Sequence, residues 1–553
     1  MTSTAGNMNH RLTRALLLGA FAAVFCSGLF SMPAIAEGER DEAGQLAPGA
    51  KMTDEERRIA IEQQKLPYPD LAFCSQQLKD ETLYRGGDRV MRVIYPGKNG
   101  WLFRSLDFRT DFTMSDPILV YMKRLNETLK KRGIDLYVML QPPRAVLATD
   151  HIDPKEMPEG YSASQGRQGY QDLIAKLQSL GINIKDLSNP PGDFEYFFKG
   201  DPHWRREGSK WTADQMAEMI LKNPLFKDKK KEEFSNEITW WLESEKGEFD
   251  EFVEKICKVI IPPERRPMWA TTALSDVTDA SALFGDVTYP DIAIVGTSNT
   301  AHEEDFNFVG SLKLALKSDI RNRALSAGGF GGAGVVFFAS DEFQDHPPKI
   351  LIWEFLSHHT FEDAPAFRQM LPALNGACKT EEAVVSAELD FKAPAPPQAP
   401  VDPAAIPVAA PVDPATGQPV PAATTEAVAA KPAPLVEYGP FLPTKRKSKN
   451  ITPMKEIRFF EALDTQNIMA KGHYLYLEVT APESRLVKIG VLYDNGEAEE
   501  IDVSRSLRAQ NNGKYYLEFD QNYPGKVIMV QAATDKPDGH LKAQICKYND
   551  ASL

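Results

Sequence analysis

An apolar, β-branched run, Pro290-Asp291-Ile292-Ala293-Ile294-Val295, stops at Gly296-Thr297-Ser298-Asn299-Thr300 and narrows the choice of fold more than any other stretch of the chain. Apolar residues in an unbroken row, bounded by proline on one side and glycine on the other, have the composition of a buried strand. The segment 301–317 that follows reads as a helix. A buried strand feeding a helix belongs to an open α/β sheet, and such sheets keep their ligands at the carboxyl ends of their strands. Ser298 stands at such an end and is the candidate nucleophile.

A serine hydroxyl is a weak nucleophile until a base takes its proton, and the base needs an orienting carboxylate. Lys199-Gly200-Asp201-Pro202-His203-Trp204, ahead of a predicted helix over 206–221, supplies both. Asp201 lies two residues before His203 on one loop and can fix its tautomer. Other histidines compete for the role: His302 falls four residues past Ser298, on the same side of a helix, and His358-His359 follow the strand ending at Trp353. Adjacent histidines can bind a metal, but no Cys or third His lies at ligand spacing, so no metal or organic cofactor is expected. The plain alternative for both motifs is a capped helix start.

The flanking sequence repeats one pattern. A helix over 118–132 ends at Gly133, and 134–140 then reads as a buried strand closing at Gln141-Pro142-Pro143-Arg144. The same order recurs at 168–180 with 182–184, and at 308–316 with 349–353. Repeated helix-then-strand units predict a mostly parallel sheet covered by helices on both faces.

At the N-terminus, Arg11 and Arg14 precede a mostly apolar stretch, 15–32, that leads to Ala34-Ile35-Ala36 and then to charged residues. This is the pattern of a secretory signal peptide over 1–36, cleaved after Ala36. The rival reading is an uncleaved membrane anchor, because the apolar stretch borders on spanning length. No later segment is apolar enough to span a bilayer. Cleavage removes Cys26 and leaves Cys74, Cys257, Cys378 and Cys546, an even number in an exported chain, which suggests two disulfides in one of three pairings. The formal net charge is −14, so the protein is no general polyanion binder and nucleic acid is not an expected partner. Any anionic polymer must meet a local basic surface.

Gly100-Trp101-Leu102-Phe103, Asp201-Pro202-His203-Trp204, Gly296-Thr297-Ser298 and Pro347-Pro348-Lys349-Ile350-Leu351-Ile352-Trp353-Glu354 together resemble the alginate O-acetylation proteins of the AlgJ and AlgX type. The likeness runs from about Cys74 to about Cys378. It implies an SGNH-hydrolase-like domain with the Asp-His pair ahead of the serine, the pairings Cys74 with Cys257 and Cys378 with Cys546, and a periplasmic location. It further implies acetyl transfer to an anionic polysaccharide, alginate or polymannuronate, through an acetyl-Ser298, with acetyl-donor and export-complex proteins as partners. A non-catalytic polysaccharide-binding scaffold and an acetyl esterase are the competing functions.

The remaining segments set the expected domains. Residues 225–266, an insertion dense in Lys and Glu around Trp240-Trp241 with a helix over 252–259, read as a solvated helix face, the aromatic pair otherwise forming part of a substrate cleft or a partner surface. The glycines of 327–334 lack the pattern of a nucleotide loop, and Gly328 or Gly329 could turn an amide toward a developing oxyanion beside that of Ser298. A Pro/Ala-rich linker over 393–436 ends the catalytic domain, 37–392. Short strand-like runs over 437–553 predict a β-sandwich whose position resembles a carbohydrate-binding module. Lys445, Arg446, Lys447 and Arg458 would give it positive charge, and Tyr474 and Tyr476 would offer faces to sugar rings.

Overall fold

The computed structural model describes residues 67–392 and 459–548, except 92, 228, 243–245, 275–288, 481–484 and 535–537. The leader, the helix expected over 54–64, the Pro/Ala-rich stretch and the basic residues Lys445, Arg446, Lys447 and Arg458 lie outside the described residues. The described residues fall in one unit of the chain.

A short antiparallel pair, β1 (Ile94–Pro96) and β2 (Leu102–Arg104), leads into α1 (Asp116–Lys131), which buries Ile118, Met122, Leu125 and Leu129 on one face. Gly133, at φ +75°, ends the helix in the left-handed region that glycine adopts without strain. Then follow β3 (Asp135–Gln141), α2 (Ala163–Ser179), β4 (Asn183–Ile184) and α3 (Arg206–Ile220). An insertion comprises β5 (Phe234–Leu242), α4 (Glu248–Cys257) and β6 (Arg266–Ala273). Beyond it come β7 (Ile292–Val295), α5 (Ser298–Ala301), α6 (Glu303–Phe306), α7 (Phe308–Leu316), β8 (Ile320–Asn322), α8 (Gly332–Phe338), β9 (Ile350–Leu356) and α9 (Ala364–Asn375).

The five strands of the main sheet lie in the order β4-β3-β9-β7-β8, all parallel, as the repeated helix-then-strand units require. Alternation along the strands divides their side chains between two cores. Val138, Val295, Leu351 and Trp353 pack with α1, α2, α8 and α9, whereas Met139, Ile292, Ile294 and Ile352 pack with α3 and α7 on the other face. Both faces are covered, so the central strands β7 and β9 are almost wholly apolar, with Glu354 the polar residue of β9.

Eight further strands form two four-stranded antiparallel sheets around a third core. One sheet joins β10 (Val385–Lys392), β12 (His473–Val479), β15 (Lys514–Glu518) and β17 (Asp538–Lys547). The other joins β11 (Phe459–Met469), β13 (Val487–Tyr493), β14 (Ala498–Asp502) and β16 (Lys526–Thr534). The sandwich packs on α9 and α1. Arg368 makes two bonds to Glu499, of 2.7 and 2.9 Å, and Arg124 makes two to Glu518, of 2.5 and 3.1 Å. Disulfides join Cys74 to Cys257 and Cys378 to Cys546.

Three readings of the sequence need correction. Around Trp240-Trp241 the charged insertion is a β-hairpin, β5 against β6, and not a helix face: Ile238, Thr239 and Trp240 are β-branched or aromatic and their pairing outweighs the surrounding charge, while the helix expected over 252–259 is α4, carried between the two strands. The helix expected over 301–317 is broken at Asn307, which takes φ +51° and is held by a hydrogen bond from Thr271 Oγ1 to its Oδ1. The sandwich also begins earlier than expected, because β10 lies before the Pro/Ala-rich stretch and pairs with β17.

Candidate active site

β7 delivers Ser298 as the first residue of α5, with Thr297 as the cap whose hydroxyl accepts from the Asn299 amide. The Asp-His loop is fastened to the same edge of the sheet. Its ends pair at Phe197 and Trp204, and Arg205 N–H donates to Tyr196 O. The fully buried Arg144, directly after β3, donates to the carbonyls of Asp201, Lys199 and Leu102. Trp204 N–H meets Asn299 Oδ1 at 3.4 Å, tying the loop to the residue beside the serine.

These anchors bring the three candidate side chains into one relay. Asp201 Oδ1 lies 2.6 Å from His203 Nδ1, and His203 Nε2 lies 2.8 Å from Ser298 Oγ. The imidazole stacks on Phe306 at a ring separation of 4.9 Å. Asp201 Oδ1 also accepts the His203 amide, while Oδ2 accepts the Glu248 amide and Arg266 Nη2, each at 3.2 Å. Burial alone would raise the Asp201 carboxyl, but His203 and Arg266 outweigh it and hold the group well below the usual carboxylate range. Burial disfavours charge on the His203 ring, yet Asp201, reinforced by Glu248, raises its proton affinity above that of a free imidazole. A neutral His203 can therefore receive a proton from Ser298, and the imidazolium so formed is stabilised by Asp201.

Two of the groups on Asp201 come from the insertion. Glu248 opens α4 and Arg266 opens β6, and Cys257, the last residue of α4, is bonded to Cys74. The close approach depends on Gly200, where a Cβ would sit 1.8 Å from Asp250 Oδ1. Asp250 is itself buried against Glu264 and Asp201, and burial pushes it up to about 8. Nothing in the sequence marks Arg266 or the Glu248 amide, because the contact joins segments far apart in the chain. Glu354 carried a signal: a carboxylate inside the otherwise apolar run of β9.

The other candidates make different contacts. His302 is exposed and contacts Ser326 Oγ at 2.8 Å and Asp305 at 3.3 Å. His358 Nδ1 faces Arg104 Nη2 at 3.3 Å, and burial together with that cation pushes it well below an ordinary imidazole. Among the described residues no group of three or more His, Cys, Asp or Glu could hold a metal ion. The Gly328 amide donates to Leu325 O, which removes it as an oxyanion donor, and it lines a cleft shared with Arg368 and Arg505 that includes none of Asp201, His203 and Ser298. Gly329, at φ +64°, takes the left-handed conformation in the same turn.

Tyr474 and Tyr476 are not sugar platforms. Both are buried under the sandwich: on β12 the even positions face α9, and Leu475 and Leu477 fill the sandwich core. Tyr474 OH accepts from Asn375 Nδ2 and donates to Gly376 O.

A family model described as "SGNH hydrolase-like domain, acetyltransferase AlgX" matches residues 94–357, which contain Asp201, His203, Ser298 and Glu354. The alginate biosynthesis protein AlgX of Pseudomonas aeruginosa is 31% identical over 303 residues, which are 54% of this chain and 63% of that protein. Over these residues the chain is similar to AlgX and AlgJ. The match to a probable alginate O-acetylase AlgJ of Pseudomonas aeruginosa, 29% identical over 291 residues, spans 50% of this chain and 72% of the relative. The solved structure of Pseudomonas aeruginosa AlgX superposes with a TM-score of 0.66 at 22% identity, covering 85% of this chain and 98% of that one, a likeness of fold. The AlgX/AlgJ-like chain thus carries an SGNH-hydrolase-like domain and, after it, a β-sandwich.

Proposed function

We propose that the chain is a polysaccharide O-acetyltransferase that modifies alginate or polymannuronate in the periplasm. The observation that carries this reading is the hydrogen-bonded relay from Asp201 through His203 to Ser298 Oγ. The names of its relatives, alginate biosynthesis protein and probable alginate O-acetylase, support the substrate class. Two disulfides and a signal-like leader support an exported location. Among the described residues no helix is long and apolar enough to cross a membrane.

In the proposed reaction Ser298 Oγ attacks the carbonyl carbon of an acetyl donor while its proton moves to His203 Nε2. The bond from the acetyl carbon to the donor breaks, and the leaving group takes that proton. The acetyl-Ser298 ester then meets a sugar hydroxyl, which gives its proton to His203 and attacks the ester carbon. Ser298 leaves with the proton and the acetyl group stays on the polymer. Asp201 remains ionised throughout and fixes the imidazole with Nε2 toward Ser298. The donor would be an acetylated partner of the cell envelope. The sandwich, led by the basic run from Lys445 to Arg458, would hold the polymer.

Water reaching the same intermediate would make the protein an acetyl esterase, so product analysis is the deciding experiment. Incubation with an activated acetyl ester and mannuronate oligomers should yield acetylated oligomers, and Ser298→Ala should yield none. Release of acetate alone would favour the esterase, and transfer surviving in Ser298→Ala would remove the serine from the reaction.

A further inference from the structure

Glu354 sits on the central strand β9 with no exposed surface, beside Ile350 and Ile352 in the apolar core of one face. Its carboxylate grips the turn that carries the nucleophile. Oε2 accepts the Thr297 amide at 2.5 Å and Thr300 Oγ1 at 3.1 Å, and Oε1 accepts Thr297 Oγ1 at 3.0 Å. These donors flank Ser298 on both sides. Thr297 Oγ1 in turn accepts the Asn299 amide, and Asn299 Oδ1 accepts the amide of Trp204, the neighbour of His203. One buried carboxylate thus stands at the root of a network that reaches both the nucleophile and the base. Gly296 is part of it, because a Cβ there would lie 2.5 Å from Glu354 Oε2.

The hydrogen bonds to the Glu354 carboxylate come from Thr297 and Thr300, and His203 acts on it only through space. Burying a carboxyl is costly, and an apolar residue would fill a merely structural position at lower cost. Burial pushes the group up to about 7 against the pull of its Thr297 and Thr300 donors.

Resting on the acyl-transfer reading above, we propose that Glu354 is a positioning residue that holds the Thr297–Thr300 turn so that Ser298 Oγ stays in line with His203 Nε2. An amide in its place has one accepting oxygen where the carboxylate has two. It would release one of the three donors and let the serine drift. Displacements of about 1 Å in a reacting group cost on the order of 100-fold in rate.

The test uses the full mature chain with p-nitrophenyl acetate as acyl donor. Ser298 forms the new C–O bond to the acetyl carbon, the bond to the aryl oxygen breaks, and p-nitrophenol leaves with the proton held by His203. Glu354→Gln should acylate about 10- to 100-fold more slowly than the unmodified chain. Its burst amplitude, which counts correctly folded sites, and its KM should be unchanged. Thr300→Val, which removes one of the donors, should slow acylation in the same sense and serves as the test if Glu354→Gln does not fold. An acylation rate equal to that of the unmodified chain in Glu354→Gln, or in Thr300→Val when the first variant is unfolded, overturns the proposal. So does a loss that tracks burst amplitude alone. Failure of the acyl-transfer reading is distinct, since Ser298→Ala would then keep its burst.

Discussion

Arg266 and Asp201, 65 positions apart in sequence, meet at 3.2 Å, so that the carboxylate behind the base is held from a strand outside the main sheet. Burial of both side chains makes the contact matter, because a charge-assisted hydrogen bond away from solvent contributes about 1.5–3 kcal/mol. Arg266→Ala leaves the Glu248 amide alone on Oδ2, and acetyl-ester turnover at neutral pH should fall about 10- to 100-fold, the rate equivalent of that range. Among the described residues, the titratable groups acting on His203 include Asp201, Glu248, Arg266, Glu354 and His358, and the His302 ring lies nearby. Since Arg266 lowers the proton affinity of His203, its removal should move the acid limb of the pH–rate profile to higher pH. An unmoved limb with full activity would show that the insertion does not tune the base.

Asp250 links this site to stability. Its carboxyl is raised to about 8, with Oδ1 lacking a hydrogen-bond partner. A group bound more tightly to its proton in the folded state stabilises fully at low pH and loses that contribution as pH rises through its folded value. Glu354, raised to about 7, acts in the same direction. These two contributions to melting temperature should therefore decline as pH rises from about 5 to about 8, while the buried His358 and His359, held below an ordinary imidazole, act in the opposite direction below about pH 6.5. Asp250→Asn should flatten the decline and melt higher than the unmodified chain at pH 8.5, as followed by calorimetry across that range.

How much of this could be read from the sequence depends on the reach of each signal. The buried runs of β3, β7 and β9 declare themselves by apolar composition, and helix-then-strand order fixes a parallel sheet without any alignment. The Asp201-His203 and Ser298 motifs were legible because each lies on one short loop. Side-chain partners from distant segments were not: Arg266, Arg144 and the Glu248 amide act on Asp201 only through tertiary packing. Tyr474 and Tyr476 misled for a related reason. A strand with two apolar faces has one face for its own core and one for a neighbouring domain, and the period of two does not say whether the second meets protein or ligand.

That second face leads to a prediction about the sandwich. Arg368, with a side chain 12% exposed, is bound to Glu499 through two bonds and to the Glu518 carbonyl at 2.8 Å. Arg368→Ala removes the guanidinium bonded to Glu499 at the boundary of the sandwich, at a cost of about 3–5 kcal/mol. Chemical denaturation should show a lower midpoint, and limited proteolysis should cut between the domains faster. The Cys378–Cys546 bond keeps the pieces joined until it is reduced.

The central claim is that Ser298 Oγ, 2.8 Å from His203 Nε2, becomes an acyl ester during turnover. It is tested most directly by quenching the protein with acid during reaction with p-nitrophenyl acetate and locating the added mass by peptide mass spectrometry. An acetyl group on Ser298, absent from His203→Ala and Ser298→Ala, is the predicted result. Turnover with no acetyl group on Ser298 at any quench time, or acetylation at Ser298 undiminished in His203→Ala, would contradict it.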